Sequence, residues 1–425
     1  MLDIKVIRER AQEVQQAARQ KGLEFNVEQL LAADAKRRQL VVEVETMRAE
    51  RNRHSAAITK LLRAGKQEEF EREKQLAALR GEQLKGLEEQ LRQTDEVFDA
   101  LMLQVPNLVS PDTPVGTSDA DNVEVRRWGE AVQQPFQMLD HVELGERHGL
   151  MDLQRGVKIG GSRHYVLQNN GQLLHRAVQQ LALDLLADRG YRLLDVPMMV
   201  KEQALTATGF FPANRDQTFA IAGEDSFLAG TSEVPLVALY SDEVIDLSEP
   251  LRLAAATPCF RSEVGSAGRD VHGLYRVHQF AKVEQVVICQ ADAELSEQLL
   301  QQMVANAEQL LQLLELPYRV VAVCTGDMSQ KTYKQYDIET WMPSRGSYGE
   351  THSASNIHEF QARRARIRYR DDAGNLQYAH TLNNTMVASP RILIPLLENH
   401  QQADGTIYIP PALRPYMRGQ KALQP

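Results

Sequence analysis

The sequence predicts an α+β protein in which an N-terminal antiparallel helical coiled-coil arm precedes a body of interleaved strands and helices. Proline is absent before residue 104, and this segment is rich in Gln, Glu, Arg, Leu and Ala, which is typical of long helices. Pro106, Pro111 and Pro114 then mark a linker. Beyond this linker, helical and strand-like apolar patterns alternate along the chain.

The arm is predicted from two repeats whose positions alternate in steps of four and three residues, the coiled-coil spacing. The repeats comprise Leu40, Val44, Met47, Arg51, His54, Ile58 and Leu61, and then Phe70, Glu73, Ala77, Arg80, Leu84, Leu87, Leu91, Thr94, Phe98 and Leu101. Gly65 lies between them and suits a helix end or turn. We therefore predict a hairpin over about residues 30–100 that is only modestly paired, because polar side chains interrupt both repeats.

The first arm helix is basic, with a group of cations that comprises Arg48, Arg51, Arg53, Lys60 and Arg63. Two interpretations remain open from these residues alone. The cations can form a solvated coiled-coil face, or they can contact an RNA backbone. The net charge of -9 does not exclude RNA binding, because basic residues can be gathered locally.

Several classes of protein are disfavoured by the composition. Cys259, Cys289 and Cys324 are far apart, and the eleven histidines show no ligand spacing, so we expect no zinc site. No run of 18 apolar residues occurs, and the first ten residues are too charged for a signal peptide. We expect a cytoplasmic protein that does not contact a membrane.

The body contains a dense group of polar residues that predicts a strand, a flexible loop with Gly265, Gly268 and Gly273, and a returning strand. Strand alternation would put Arg261 and Glu263 on one face, and Phe280, Lys282 and Glu284 on one face of the second strand. This set suits a nucleotide, although a surface ladder of ion pairs is an equally weighted alternative. The chain has no GxxxxGK[ST] loop, and no GxGxxG follows a strand.

Residues 258–284 resemble motif 2 of the seryl-tRNA synthetase family, which belongs to the class II aminoacyl-tRNA synthetases. The likeness extends over essentially the whole chain. It includes 122–129 at the start of the catalytic domain, 171–197 as the dimerisation element motif 1, Thr231-Ser232-Glu233 as the TxE motif, 360–364, and 382–391 as motif 3. The signatures of class I aminoacyl-tRNA synthetases are missing from the chain. Residues 327–331 resemble one of these signatures only faintly.

The resemblance implies a class II antiparallel sheet of six or seven strands flanked by helices. It implies an N-terminal tRNA-binding domain over 1–103 and a catalytic domain over 104–425, with motif 2 at about 257–284 and motif 3 at about 382–400. The expected reaction activates L-serine with ATP and Mg²⁺ to seryl adenylate. Serine then passes to the 3′ end of tRNA(Ser), whose long variable arm the hairpin would hold, and tRNA(Sec) is expected as a second substrate. A homodimer is also implied.

The resemblance also carries a role to individual positions. Serine is expected to contact Thr231, Ser232, Glu233, Arg261, Glu284, Asn383 and Thr385. ATP is expected to contact Arg261, Ser262, Glu263, Val277, Phe280, Glu350, Thr351, His352, Ser353 and Arg391. In this scheme Arg261 holds the α-phosphate, Glu263 faces the adenine amine and Phe280 stacks the base. Glu350 and Ser353 would bind Mg²⁺, whose preference for oxygen ligands they match.

The sequence departs from the family pattern near Glu350. Gly349 stands where many members have Arg, and Ala354 stands where Cys is common. Pro395 would be interior to a helix starting near Ser389, so we predict a kink or a later helix start. We also predict that Arg364, Arg366, Arg368 and Arg370 share one face of a strand, either solvated or touching the tRNA acceptor end.

Two other functions fit the same scaffold. A diverged paralogue could pass the activated amino acid to a carrier protein, but such relatives are expected to lack the arm that this chain keeps. A non-catalytic RNA-binding protein is expected to lose Arg261, Glu263, Glu284 or Arg391, and all four are present.

Overall fold

The computed structural model describes residues 1–131, 135–265 and 272–425, so Gly268 of the predicted flexible loop lies outside the described residues. The chain divides into two compact units. One consists of residues 3–19 and 23–106, and the other of residues 1–2, 20–22 and 107–425. No helix in the described ranges is long and apolar enough to cross a membrane.

The smaller unit contains α1 (Ile4–Glu9), most of α2 (Ala11–Gln20), and two long helices, α3 (Val27–Arg63) and α4 (Gln67–Gln104). The Asn26 side chain starts α3 by accepting a hydrogen bond from Glu28 N, which satisfies one of the free amides of the first turn. Gly65 has φ of 67° at the turn, a conformation that favours glycine. The predicted helical arm is confirmed.

Polar pairs join the two arm helices where the apolar repeats are interrupted. His54 Nδ1 lies 2.6 Å from Glu73 Oε2, and Arg80 Nε lies 3.3 Å from Glu50 Oε2. Leu40 and Val44 on α3 are buried, as are Leu84, Thr94 and Phe98 on α4. The apolar contacts are thus strongest away from the turn, and ion pairs replace them towards it.

The larger unit contains both helices and strands. Its helices are α5 (His141–Arg147), α6 (Leu153–Gly160), α7 (Asn169–Asp188), α8 (Glu202–Ala207), α9 (Glu233–Ala238), α10 (Ala293–Leu313), α11 (Phe360–Ala365) and α12 (Leu393–His400). Its longer strands are β1 (Val123–Trp128), β8 (Leu251–Phe260), β9 (Gln279–Cys289), β10 (Tyr318–Ala322), β11 (Lys334–Met342), β12 (Ser347–His358) and β15 (His380–Ser389). The short strands are β2 (Met151–Asp152), β3 (Val166–Leu167), β4 (Arg192–Leu193), β5 (Met199–Val200), β6 (Phe219–Ala220), β7 (Phe227–Leu228), β13 (Arg368–Arg370), β14 (Leu376–Tyr378), β16 (Ile407–Tyr408) and β17 (Ala422–Leu423).

The main sheet of the described residues has eight strands in the order β1-β10-β11-β12-β15-β9-β8-β4. Its pairs are antiparallel except for β4, which runs parallel to β8. This is the antiparallel sheet flanked by helices that was predicted, with more strands than the six or seven expected. The apolar faces of α7 and α10, with buried Val178 and Leu310, pack in its main core.

Three local predictions were wrong. The first strand of the motif 2 hairpin ends at Phe260, and Glu263 has φ of 51°, so Arg261 and Glu263 do not alternate on a strand. Residues 191–196, whose apolar pattern before Pro197 predicts a strand, form only the two-residue strand β4. The four arginines at 364–370 do not share one strand face, because Arg364 belongs to α11 and Arg366 ends that helix in a left-handed conformation.

The prediction for Pro395 is confirmed as a later helix start. Helix α12 begins at Leu393, so Pro395 is its third residue. The amide that proline lacks is one that the first helical turn leaves without an intrahelical partner. The helix therefore accommodates Pro395 without an interior break.

Candidate active site

An open cavity, with about 510 Å³ of empty space that includes its solvent-filled mouth, lies where β12 and β15 meet the end of the β8–β9 hairpin of motif 2. Seven residues of the predicted ATP set line it, namely Arg261, Glu263, Val277, Phe280, Glu350, Thr351 and Arg391. Thr385, from the predicted serine set, lines it too. Residues that are up to 130 positions apart in the sequence are therefore brought to one concave surface, as expected of a small-molecule site.

The predicted adenine side of the cavity is formed by the ends of β8 and β9. Phe280 pairs with Cys259 across the hairpin, and the Arg261 guanidinium carbon lies 5.3 Å from the Phe280 ring centroid. Glu263 is 11% exposed, and its Oε2 accepts a hydrogen bond of 3.2 Å from Arg276 Nη1. The carboxylate is therefore held by a cation that the sequence interpretation did not include.

Tyr275 organises the opposite wall. The guanidinium carbons of Arg345 and Arg391 lie 4.2 Å and 4.4 Å from its ring centroid. Arg391 also donates to Tyr275 O and to Glu350 O, and its Nη1 lies 3.5 Å from Glu350 Oε2. Stacking and hydrogen bonds thus fix the direction of Arg391 towards the cavity.

The predicted metal ligands lie on β12. Glu350 is 49% exposed at the cavity edge, and Ser353 Oγ accepts a hydrogen bond of 3.1 Å from Gln335 Nε2. Asp337 pairs with Ser353 across the sheet, and burial, with Glu350 as the next cause, raises the pKa of Asp337. Within the described residues no group of three His, Cys, Asp or Glu side chains is arranged around a metal ion. One exposed carboxylate and a hydroxyl fit Mg²⁺ that arrives with phosphates and keeps its waters.

The predicted serine side is centred on the buried carboxylate of Glu233, the first residue of α9. Its Oε1 accepts hydrogen bonds from Lys331 Nζ at 2.5 Å, Gln361 Nε2 at 2.7 Å and Asn383 Nδ2 at 3.0 Å. Thr231 is also buried, and its Oγ1 accepts a hydrogen bond from Glu233 N.

A second carboxylate joins this side to the cavity. Glu284 Oε2 lies 2.6 Å from Lys282 Nζ and accepts a hydrogen bond of 3.5 Å from Thr385 Oγ1. Burial raises the pKa of Glu284, and the Lys282 ammonium opposes this effect. Since Lys282 and Thr385 line the cavity, the predicted serine and ATP sites are continuous.

Eight predicted site residues do not line the cavity, namely Thr231, Ser232, Glu233, Ser262, Glu284, His352, Ser353 and Asn383. Ser262 donates its hydroxyl to Asp216 O at 2.7 Å. His352 is 1% exposed, and burial lowers its pKa to about 4. The Ser232 hydroxyl is buried and has no partner among the described residues. Thr351 does line the cavity, but its hydroxyl bonds to Thr340 and His352.

Sequence interpretation missed Lys331, Gln361, Tyr275 and Arg276 as residues of this region. Gln361 was inside a family stretch without a role, and Tyr275 and Arg276 were inside the motif 2 segment. Lys331 ends the segment 327–331, whose faint resemblance to a class I signature gives no indication of a class II site residue.

Comparisons with known proteins agree with this architecture. Residues 218–400 match the model of the tRNA synthetase class II core domain (G, H, P, S and T), and residues 1–109 match the seryl-tRNA synthetase N-terminal domain. The serine–tRNA ligase of Deinococcus radiodurans is 46% identical over 424 residues, which cover 100% of this chain and 99% of that protein.

Two solved structures are also similar over the whole chain. The seryl-tRNA synthetase of Pyrococcus horikoshii complexed with ATP has a TM-score of 0.92 at 36% identity, with 100% of both chains covered. The cytoplasmic serine–tRNA ligase of Naegleria fowleri in complex with AMP has a TM-score of 0.87 at 26% identity, covering 100% of this chain and 99% of that one.

The antiparallel sheet, with its motif 2 hairpin and motif 3 strand around one cavity, defines a class II aminoacyl-tRNA synthetase core. The N-terminal domain and the full-length relatives narrow this class further. The chain belongs to the seryl-tRNA synthetase family.

Proposed function

We propose that this chain is a serine–tRNA ligase that forms seryl adenylate from L-serine and ATP and then esterifies the 3′ end of tRNA(Ser). The observation that carries the proposal is the continuity of two sites. A cavity with Arg261, Phe280 and Arg391 in its wall is also lined by Lys282 and Thr385, which contact the buried Glu284 carboxylate. Burial and, to a smaller extent, the nearby Glu233 carboxylate raise the pKa of Glu284, which brings Glu233 into the same site. Family membership and full-length similarity to named ligases support the same activity.

The first step requires positioning and charge neutralisation. The serine carboxylate is ionised at neutral pH and attacks the α-phosphorus of ATP as pyrophosphate leaves, so the step needs no general base. Arg261 would neutralise the α-phosphate, and Arg391 would contact the γ-phosphate and one adenine face. Phe280 would stack the base, while Val277 and Glu263 would contact its edge. Mg²⁺, held by Glu350 and Ser353 with the ATP phosphates, would supply further charge neutralisation.

Serine recognition would use the polar residues next to the cavity. Glu233, Glu284 and Thr231 offer oxygen acceptors for the ammonium and hydroxyl groups, and Asn383 and Thr385 complete the pocket. A buried site that hydrogen-bonds a hydroxyl rejects alanine, because its own polar groups would otherwise be left unpaired. Threonine would be rejected by the size of the pocket.

We further propose that residues 1–103 bind the tRNA and that the arm contacts the backbone of the long variable arm. Arg53, Lys60 and Arg63 make no ion pair within the described residues, so they are available to phosphates. In the described parts of the chain, the Arg51 guanidinium donates only to the neighbouring Asn52 Oδ1. Arg48 is paired with Glu45 and Glu88, each at 2.8 Å, so it should contribute less.

The oligomeric state and second substrate are also proposed. We infer a cytoplasmic homodimer formed through α7 and β4, the elements that correspond to motif 1. The mass of the purified protein in solution by light scattering tests the dimer. Charging of purified tRNA(Sec) tests the second substrate.

The function is tested by two assays on the purified full chain with ATP and Mg²⁺. Pyrophosphate exchange with serine, threonine and alanine measures activation, and acid-stable label on total bacterial tRNA measures transfer. We expect serine alone to support both, and Arg261→Ala to lower kcat/KM by about 100-fold or more. Arg126→Ala, in an exposed ion pair on β1, is the control and should retain activity.

The pattern of failure separates the alternatives. Pyrophosphate exchange without tRNA charging would indicate that the activated serine is transferred to a carrier protein and not to tRNA. ATP binding without any exchange would indicate a non-catalytic RNA-binding protein.

A further inference from the structure

Lys282 lies on the cavity wall between the two proposed substrate sites. Along one face of β9 the side chains run from Phe280, in the proposed adenine site, through Lys282 to Glu284, in the proposed serine site. Phe280 and Lys282 both line the cavity, and the Lys282 side chain is only 7% exposed. Burial of an ammonium group is costly unless a partner compensates its charge, so the partner of Lys282 indicates what this cation does.

That partner is Glu284. Residues two apart on a strand are separated by about 6–7 Å, a distance that the four-carbon stem of lysine spans. Lys282 Nζ lies 2.6 Å from Glu284 Oε2, and the Glu284 side chain is 2% exposed. Thr385, which pairs with Glu284 next to an irregularity in β15, donates to the same oxygen at 3.5 Å. A cation on β9 and a hydroxyl on β15 therefore hold this buried carboxylate.

The surroundings of Glu284 make it depend on Lys282. Burial is the main cause that raises the pKa of Glu284, and Lys282 is the first group that opposes it. Glu233 on α9 raises this pKa further, whereas Lys331, which pairs with Glu233 at 2.5 Å, lowers it. Cys259 on β8 lies near both residues of the Lys282–Glu284 pair, and burial raises the pKa of its thiol, which stays neutral. Among the described residues, Lys282 thus does most to keep Glu284 ionised.

The ionisation state of Glu284 decides what it can bind. An ionised carboxylate only accepts hydrogen bonds, while a protonated carboxyl group uses one of its oxygens as a donor. Serine brings an ammonium group and a hydroxyl group, and both donate. A protonated Glu284 would lose its attraction for the ammonium group and one acceptor position for the hydroxyl group. Serine binding therefore requires the ionised form.

We propose that Lys282 is a positioning residue for serine activation: its ammonium group keeps the buried Glu284 carboxylate ionised and oriented as an acceptor for serine, and thereby sets the lower pH limit of the reaction. This inference rests on the proposed function and deepens it, since it gives the cation between the two substrate sites a role in the pH dependence of serine binding.

The test measures serine-dependent pyrophosphate exchange by full-length Lys282→Met between pH 6.5 and 8.5. Without the ammonium group, burial raises the pKa of Glu284 with less opposition, so more of the carboxyl group is protonated at the lower pH. We expect the KM for serine to be raised about tenfold or more at pH 6.5 and to fall as the pH rises, by up to about tenfold per pH unit. The wild-type KM for serine should change by less than about twofold over this range.

The KM for ATP separates this role from a direct contact with the nucleotide. It should stay within about twofold of the wild-type value in Lys282→Met at every pH. Equal rises in the two KM values, or a KM for serine that is raised by the same factor at every pH, would overturn the proposal. Lys282 would then act by contacting ATP or by packing.

Two further substitutions separate charge from size. Lys282→Arg keeps a cation next to Glu284, so its KM for serine should stay independent of pH. Lys282→Gln keeps a hydrogen-bond donor without the charge, so it should show the same pH dependence as Lys282→Met, and it supplies the measurement if the methionine variant does not fold. A KM for serine that does not depend on pH in Lys282→Gln would contradict the proposal.

Lys334→Met is the matched control. Lys334 pairs with Asp112 and Glu297 at 2.6 and 3.2 Å, and it does not line the cavity. Its side chain is 10% exposed, close to the value for Lys282. This variant should lower the Tm and leave both KM values with their wild-type pH dependence. If Lys282→Met also lowered only the Tm, Lys282 would be a structural residue and the proposal would fail.

The Glu284→Gln background tests the route of the effect. An amide cannot ionise in this pH range, so Glu284→Gln should raise the KM for serine equally at pH 6.5 and 8.5. Addition of Lys282→Met should then introduce no pH dependence, and a pH-dependent KM for serine in the double variant would show that Lys282 acts through another group.

The wild-type protein separates the two levels of inference. If the wild type catalyses no serine-dependent exchange at any pH, the proposed function fails. If the wild type is active and Lys282→Met has the same KM for serine as the wild type at every pH, only the role of Lys282 fails.

Discussion

Position 349 shows how closely the wall of the cavity is packed. A Cβ atom on Gly349 would lie 3.0 Å from Met342 Sδ and 3.2 Å from Tyr275 Cε2. The Met342 side chain is flexible and can give way. The Tyr275 ring cannot move as easily, because the guanidinium groups of Arg345 and Arg391 pack against it, 4.2 Å and 4.4 Å from its centroid. Glycine at 349 thus leaves room for the ring that orients Arg391.

Gly349→Ala is therefore expected to weaken ATP binding. The added methyl group should displace Tyr275 and, through it, Arg391, and raise the KM for ATP about three- to tenfold, since overpacking typically costs about 1–3 kcal/mol. The KM for serine should change less. Pyrophosphate exchange at varied ATP measures the effect, with Ser347→Ala on the same strand as the control. An unchanged KM for ATP would show that Tyr275 adapts freely.

Sequence reasoning located site residues where a regular strand supplied the spacing. Phe280, Lys282 and Glu284 do share one face of β9, and Lys282 and Phe280 line the cavity as alternation predicts. It failed at Glu263, where a positive φ breaks the alternation. It could not find Lys331, because only tertiary contacts bring that side chain to Glu233, 98 positions away in the chain.

At the scale of elements, the arm was predicted well because helical periodicity is local. Its boundaries follow from Asn26 at the start of α3 and Gly65 at the turn. The run of alternating arginines was predicted poorly for the opposite reason. A period of two is shared by strands and by irregular segments, and here Ala365 ends a helix before β13 begins at Arg368.

Two glycines inside α4 give a test of arm stability. A Cβ atom added to Gly81 or Gly86 would have no neighbouring atom within 4 Å, and neither residue has a positive φ. Gly81→Ala should stabilise the helix by about 0.5–1 kcal/mol, because glycine loses more backbone freedom on folding than alanine. Hydrogen exchange of the arm amides in the full chain should slow accordingly.

The contrasting variant is Gly65→Ala. Its φ of 67° disfavours a side chain, so exchange near the turn should become faster. Equal protection in the two variants would mean that helix propensity does not limit the opening of the arm.

At the scale of the whole molecule, the order of the eight strands could not be derived from local patterns. Neighbours such as β12 and β15 are separated in the sequence by α11 and two short strands. Such pairings depend on contacts across the whole core, so the sheet was predicted only through resemblance to a family. The same nonlocal packing buries several histidines, for which the sequence predicted only that none has ligand spacing.

These buried histidines make the larger unit sensitive to acid. Tyr333, His358 and His380 form a stack, with ring centroids 3.8 Å and 4.3 Å apart. Burial lowers the pKa of His358 to about 3 and that of His380 to about 4. The unfolded chain has histidine pKa values of about 6.5, so between these values it binds more protons than the native state. The contribution of these two histidines to the free energy of unfolding is therefore highest above pH 6.5, and it is lost as the pH falls towards 4.

The histidine contribution can be isolated with His380→Gln. As the pH falls below 6.5, each such histidine lowers the free energy of unfolding by up to about 1.4 kcal/mol per pH unit. Between pH 7.5 and 5.5 the free energy of unfolding of His380→Gln should therefore fall by about 1 kcal/mol less than that of the wild type. Urea unfolding measures this through tryptophan fluorescence, since Trp128 and Trp341 both lie in the larger unit. Carboxyl groups whose pKa is raised by burial, such as that of Glu284, act in the opposite direction in both proteins and cancel in the comparison. Parallel pH dependences would show that His380 becomes protonated within the native fold.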